Sequence, residues 1–268
     1  MNKVFFQKFF GDIFSIAMMT GVGNAFLFCY SIVKNIRKIL QQRVLQPADE
    51  IFANRTVKLK FLGKKFIFKN PTFGGIREIY CRKVYFLEDG FMLKKGDIVI
   101  DLGSNRGLFT TLAANLGCRV ISVEAQHCFL ESIKDNQQNN NVLENGSIEF
   151  GIIGQETGKL LPADKKYNVM PIKPPIVTMA GIIKKYKLSR IDYLKIDIEG
   201  SEFAVFEENT DWLDIARKVV MEVHLTYGKP EKIIEKLRDN GFHISLFDRD
   251  HERVEKITTI DGFIFAKK

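Results

Sequence analysis

The sequence holds only four cysteines, Cys29, Cys81, Cys118 and Cys128. None stands in a CxxC pair, and no His/Cys group has the spacing of zinc ligands. A zinc ribbon and a disulfide-stapled scaffold are thereby excluded, and free thiols in a reducing compartment are expected, with Cys118 as plain core. A GxGxxG turn is also absent, and no Walker lysine follows the glycine-rich segment, so neither a pyrophosphate nor a triphosphate is the natural ligand. There is no internal repeat. No small-residue cleavage signature follows a short apolar core, so a cleaved signal peptide is not expected. Proline is scarce, and four of the seven, Pro162, Pro171, Pro174 and Pro175, fall within residues 157–176. That segment is expected to be a surface loop, long enough to cover a site.

What is present suits one large domain with an extension: 268 residues, 46% of them hydrophobic. The net charge of +8 permits attraction to anionic surfaces without naming one. The basic residues are spread out rather than interleaved with aromatics, unlike a nucleic-acid groove. Much of the aromatic content lies at the N-terminus, in VFFQKFF and FLFCY. From Ile13 to Val33 no residue is charged, and Lys34, Arg37, Lys38 and Arg43 follow. The run is just long enough to cross a bilayer, yet Thr20, Gly21, Gly23 and Asn24 lower the transfer gain a span requires. A helical hairpin or bent helix packed on the domain is expected instead. The protein should be mainly cytoplasmic, with peripheral contact to an anionic membrane through the aromatic face and basic flank.

Two regions are expected, residues 1–70 and 71–268. The first reads as helix over 1–45, interrupted near the glycines, then a β-hairpin over 57–69. A short helix over 75–86 leads into the second. There, strands at 97–101, 119–124, 148–153, 191–197, 217–224, 243–248 and 262–267 alternate with helices at 107–116, 127–140, 179–187, 201–208 and 229–240. Such alternation predicts an α/β fold with parallel βαβ units. The last two strands have no helix between them and should form an antiparallel hairpin at one edge.

Two apolar runs stop at acidic, glycine-bearing turns. IVIDLGSNRG carries Asp101, Gly103, Asn105 and Gly107; IDYLKIDIEGSE carries Asp197, Glu199, Gly200 and Glu202. Ligands of open parallel sheets bind beyond the carboxyl ends of strands, so the two turns predict one pocket. The strand CRVISVEA ends at Glu124, where a carboxylate can accept hydrogen bonds from both hydroxyls of a ribose. A glycine-rich turn without a phosphate grip fits a nucleoside without phosphates. S-adenosylmethionine is the common one, and Asp101 would balance its positive charge. Plainer readings exist for each residue: a tight βα turn for Gly103 and Gly107, a helix start that favours acids for Glu199 and Glu202, and a satisfied strand-end histidine for His224.

Taken with DLGSNRG, SVEA and VVMEVH, the run IDYLKIDIEGSE resembles the FkbM family of S-adenosylmethionine-dependent methyltransferases, over about residues 70–225. The resemblance implies a Rossmann-like class I methyltransferase sheet, mostly parallel with an antiparallel terminal hairpin. It assigns Asp101, Gly103, Asn105 and Gly107 to the cofactor turn and Glu124 to the ribose. Asn136 and Asn140 match asparagines of the following helix. Asp197, Glu199 and Glu202 match an acidic cluster facing the methyl group, and Glu222 and His224 the end of the next strand. Ala180 departs from the pattern, where an Asp is frequent, and a contact or helix cap is lost with it.

Methylating a hydroxyl needs its oxygen aligned with the methyl carbon, opposite sulfur, and a group that takes the proton. Asp197, Glu199 and His224 are the candidate catalytic residues, and Lys195 is placed to pair with a nearby carboxylate. The expected acceptor is a hydroxyl on a sugar, lipid or secondary metabolite. No metal is expected, because Asp-x-Glu at a strand end splits its side chains to opposite sides. Two rival readings are a nucleic-acid methyltransferase and a non-catalytic, membrane-associated nucleoside-binding protein. Asp-Ile-Glu-Gly in place of an Asn/Asp-Pro-Pro-aromatic turn opposes the first, and the intact acidic cluster opposes the second.

Overall fold

The computed structural model describes residues 3–42, 44–69, 71–154, 172–207 and 209–268. The chain divides into two units, Met1–Val84 and Tyr85–Lys268.

In the first unit, α1 (Lys3–Thr20) and α2 (Val22–Lys34) meet at Gly21, whose φ of 98° is a left-handed value that breaks the helix there. α3 (Ile36–Gln42) and the short α4 (Gln46–Asp49) follow. β1 (Thr56–Phe61) and β2 (Lys64–Lys69) form the antiparallel hairpin, turning at Leu62 and Gly63, both with positive φ. Alternation along β1 sends Val57, Leu59 and Phe61 inward. The helix expected over 75–86 is instead α5 (Phe73–Ile76), a wider π turn over Arg77–Arg82 and a 3-10 turn over Val84–Phe86. Packing explains this segment. Phe73 stacks on Phe52 with ring centres 3.7 Å apart, and the fully buried Tyr80 meets Phe61, Phe66 and Phe68 at 5.3–5.6 Å. Residues 71–84 thus belong with the first unit. The Arg77 guanidinium donates to both oxygens of Asp49 (2.8 and 2.7 Å) and to Asp12 (2.9 Å), and Arg82 also donates to Asp12. Among the described residues no helix is long and apolar enough to cross a membrane.

The second unit is α/β with a mostly parallel sheet. In chain order it contains β3 (Ile98–Leu102), α6 (Leu108–Asn115), β4 (Arg119–Glu124), α7 (His127–Asn139), β5 (Gly146–Phe150), β6 (Ile152–Ile153), β7 (Ile176–Val177), α8 (Met179–Tyr186) and β8 (Tyr193–Ile196). Then come α9 (Glu202–Glu207), β9 (Lys218–His224), α10 (Glu231–Asp239), β10 (His243–Asp248), β11 (Arg253–Val254) and β12 (Asp261–Lys267). The strand order is β11-β10-β12-β9-β8-β3-β4-β5. β5, β4, β3, β8 and β9 run parallel, while β12 lies antiparallel between β9 and β10. The chain winds outward from β3 towards β5 and then, from β8, in the other direction. The ends of β3 and β8 therefore flank the switch point where such sheets open a crevice.

The strand expected over 148–153 is two. Gly151 ends β5, and β6 leaves the main sheet to pair with β7. A Cβ at Gly151 would stand 2.7 Å from Val177 Cγ1 and 3.0 Å from the Pro175 carbonyl, so only glycine allows this crossing. The proline-rich loop expected over 157–176 lies for most of its length outside the described residues.

Candidate active site

The two acidic turns meet. A Cβ on Gly103 would fall on the carbonyl oxygen of Asp197, so the close approach of the turns demands glycine at that position. At Gly107 an added Cβ would come within 2.9 Å of Ile133 on α7. Both glycines thus serve packing within the chain, and Gly103 also lines the pocket. The turn's amides are spent internally as well. Gly103 and Ser104 donate to the Val123 carbonyl, Asn105 donates to Glu124 Oε2 at 2.6 Å, and Gly107 to the Ser104 carbonyl.

Asp101 is not where the sequence reading put it. Its side chain is fully buried, with Oδ1 accepting from Lys195 Nζ (3.0 Å) and Oδ2 from Thr110 Oγ1 (2.6 Å). A carboxylate so committed faces the interior, because an ion this deep needs its partners. Lys195 is the clamp. It also donates to the Gly103 carbonyl at 2.9 Å and lies 3.8 Å from Asp197 Oδ2. Burial pulls the Lys195 pKa down, but the Asp101 and Asp197 charges outweigh that and hold it above its usual value.

The pocket opens beyond β3, β4 and β8. Its wall includes Gly103, Asn105, Glu124, Gln126, Ile152 and Asp197. Glu124 is nearly buried, and its two oxygens accept from the Asn105 and Gln126 amides at 2.6 and 2.8 Å. Burial pushes its carboxyl up to about 7, against the downward pull of those amides. Asn136 and Asn140 have supporting roles: Asn136 donates to the Arg106 carbonyl (2.8 Å), steadying the turn, and Asn140 to the Asn136 carbonyl. The helix start near Ala180 is capped by Thr178, whose hydroxyl accepts from the Gly181 amide at 3.0 Å.

At the pocket wall, Asp197 follows β8 and accepts a hydrogen bond from the Tyr85 hydroxyl at 2.7 Å. Glu199 has a φ of 53°, outside the strand conformation. β8 has already ended at Ile196, so the alternation expected of Asp-x-Glu does not hold for these residues. A carboxylate oxygen from each of Asp197 and Glu199 and a ring nitrogen of His224 lie within 4.8 Å of one another. Glu202, fully buried at the start of α9, accepts from His224 Nδ1 at 2.5 Å and from its backbone amide at 3.2 Å. His224 Nε2 is 3.7 Å from Glu199 Oε2. Burial lowers the His224 pKa, but the hydrogen bond and charge of Glu202, helped by Glu199 and Asp197, raise it above the usual value overall. Among the described residues, Glu222 does not line the pocket. Sequence reasoning missed Tyr85 entirely, since it stands 112 positions from its partner in an ordinary aromatic stretch. It placed Glu202 in the acidic cluster but not as the partner of His224.

A family model described as the Methyltransferase FkbM domain matches residues 101–244, more than half of the chain. The chain belongs to this family. As an FkbM-domain protein it is an S-adenosylmethionine-dependent methyltransferase. The 31-O-demethyl-FK506 methyltransferase FkbM of Streptomyces tacrolimicus is 26% identical over 213 residues, which are 63% of this chain and 80% of that protein. Solved structures of similar shape include the precorrin-6y C5,15-methyltransferase of Geobacter metallireducens, with 13% identity, a TM-score of 0.41, and coverage of 66% of this chain and 81% of that one. An rRNA methylase of Streptococcus thermophilus has 14% identity, a TM-score of 0.41, and coverage of 72% and 96%. The residues of the FkbM-domain pocket fit the cofactor's chemistry. Glu124 offers acceptor oxygens and Val123 and Ile152 an apolar wall, while the Gly103, Ser104, Asn105 and Gly107 amides are already taken within the chain, which suits a nucleoside without phosphates.

Proposed function

We propose that this methyltransferase acts on a hydroxyl oxygen of a sugar, lipid or secondary metabolite, with His224 as the base. The carrying observation is the pair formed by Glu202 and His224. A buried carboxylate that accepts from Nδ1 sets the tautomer and leaves Nε2, on the side of Glu199 and Asp197, to accept a proton. Glu202 then stabilises the imidazolium that forms, as its charge already favours that state. Asp197, fixed by Tyr85 and facing Lys195, orients the acceptor hydroxyl. Glu124 holds the ribose of the cofactor. Bound there, S-adenosylmethionine supplies an electrophilic methyl group on a sulfonium. Asp197 and Glu199 also disfavour a phosphate-rich acceptor by like charge, which supports a metabolite over a nucleic acid. The relative from Streptomyces tacrolimicus supports oxygen as the target, since its name places the methyl on an oxygen of FK506.

A second reading has one observation in its favour. Asp197, Glu199 and His224 converge closely enough to hold a divalent cation that would orient the hydroxyl. The Lys195 ammonium, 3.8 Å from Asp197 Oδ2, opposes a second cation there, so the metal-free reading is preferred.

The test is methyl transfer from labelled cofactor to a fractionated metabolite extract, with mass spectrometry of the labelled product. Label on a hydroxyl oxygen is expected. Label on carbon, on nitrogen or in nucleic acid would overturn the proposal.

A further inference from the structure

The helices of the first unit have apolar residues on two faces, and only one face is used. Ile16, Phe28, Ile32 and Ile39 are buried in the unit's interior. Elsewhere on the same helices, nine of the fifteen large hydrophobic side chains exposed among the described residues fall within residues 10–40. On α1 they recur at helical spacing through Phe14, 67% exposed, and Met18. On α2 a second series with the same spacing runs through Val22, Phe26, 72% exposed, and Tyr30. Leu40 extends the series onto α3. Scattered single hydrophobics need no explanation, but a periodic series on consecutive helices marks an interaction surface.

Charge identifies the partner. No acidic residue occurs between Asp12 and Asp49, and those two are themselves buried against Arg77. Lys34, Arg37 and Lys38 are exposed at the α2–α3 end. An apolar face with a wholly basic flank complements an anionic lipid surface, where acyl chains take the aromatics and headgroups take the cations. A second copy of the chain fits less well, since pairing would bring two basic flanks together. No helix among the described residues is long and apolar enough to span.

We propose that α1–α3 dock the protein on an anionic bilayer, lying in the interface rather than crossing it. The docking surface is independent of the chemistry proposed for the pocket.

The experiment is co-sedimentation of the full chain with vesicles of phosphatidylcholine alone and of phosphatidylcholine mixed with phosphatidylglycerol. Binding to the mixed vesicles, with little to the neutral ones, is expected, together with release by alkaline carbonate. Phe14→Ser with Phe26→Ser should weaken binding at least about tenfold, because each ring removed forfeits more than a factor of ten in transfer free energy. Lys34→Gln with Lys38→Gln should weaken it less. Helical circular dichroism and a thermal unfolding midpoint unchanged from wild type show that these variants keep α1–α3 folded. No binding to either vesicle, or equal binding to both, would overturn the proposal. So would retention through carbonate. Light scattering that shows a dimer lost in Phe14→Ser with Phe26→Ser, without vesicle binding by the wild type, would assign the face to a second copy.

Discussion

Each unit buries an ionic centre, and the two are built differently. In the first unit two arginines, Arg77 and Arg82, meet two carboxylates, Asp12 and Asp49, and the charges balance. Burial lifts the Asp49 carboxyl, Arg77 answers it, and the Arg77 guanidinium stays firmly charged. In the second unit Lys195 pairs with Asp101 at a similar depth, but the centre does not close there. It runs on to Asp197, whose side chain is 24% exposed, and to Glu199, 64% exposed, leaving a surplus of negative charge at a pocket wall. Burial and pairing alone therefore do not mark a functional site. An ionic centre left unbalanced on the side facing a crevice does.

The largest effect should come from breaking the closed centre. Arg77→Leu leaves Asp12 and Asp49 buried without their main counter-charge and should cost ~3–5 kcal/mol in denaturant unfolding. Affinity of the folded protein for S-adenosylhomocysteine should not change. A cost below ~1 kcal/mol would show that this centre is as tolerant as a surface pair.

Next is the pH dependence of the open centre. The proton-accepting form of His224 is neutral, and its pKa is held up in the folded protein. The rate should therefore climb as pH rises through a value above the ordinary ~6.5 of histidine. Glu202→Gln removes the main upward influence and should move that climb to lower pH while reducing turnover. The same linkage acts on stability. What the protonated pair contributes is full below the unfolded value and is lost as pH rises through the folded one. A profile that Glu202→Gln leaves in place would detach the titration from His224.

A smaller effect is expected at Glu124, whose carboxyl is raised to about 7 by burial. If its ionised form accepts the ribose hydroxyls, affinity for S-adenosylhomocysteine should rise a few-fold from about pH 6 to about pH 8. Glu124→Gln should flatten the rise. An unchanged slope in the variant would assign it to another group. The smallest effect is for metal removal: activity should survive EDTA. Loss that magnesium or manganese restores would turn Asp197, Glu199 and His224 into a cation site.

The parts of this architecture that were legible in the sequence are those written in contiguous residues. The apolar runs ending at Asp101 and Asp197, the β-hairpin over 57–69, and the helix–strand alternation after β3 all depend on local pattern. The pocket followed from two strand ends at one switch point. What the sequence hid depends on distant partners or on one backbone angle. Asp101 turns inward because Lys195, 94 positions away, receives it. Glu199 joins Asp197 and His224 because β8 stops at Ile196 and the chain turns at Glu199, where φ is 53°. The segment after Phe73 abandons a regular helix so that Tyr80 can enter an aromatic cluster supplied by the hairpin. None of these is a periodicity, so no pattern in the residues announces them.

In the proposed mechanism His224 takes the proton at the open acidic centre while the adjoining Glu124 side of the pocket holds the cofactor. His224→Gln is the decisive variant, with calorimetric binding of S-adenosylhomocysteine and labelled methyl turnover measured on the same preparation. Cofactor affinity should stay close to wild type and turnover should fall by ~10²–10⁴-fold. Unchanged turnover, or turnover and affinity lost together, would contradict this mechanism.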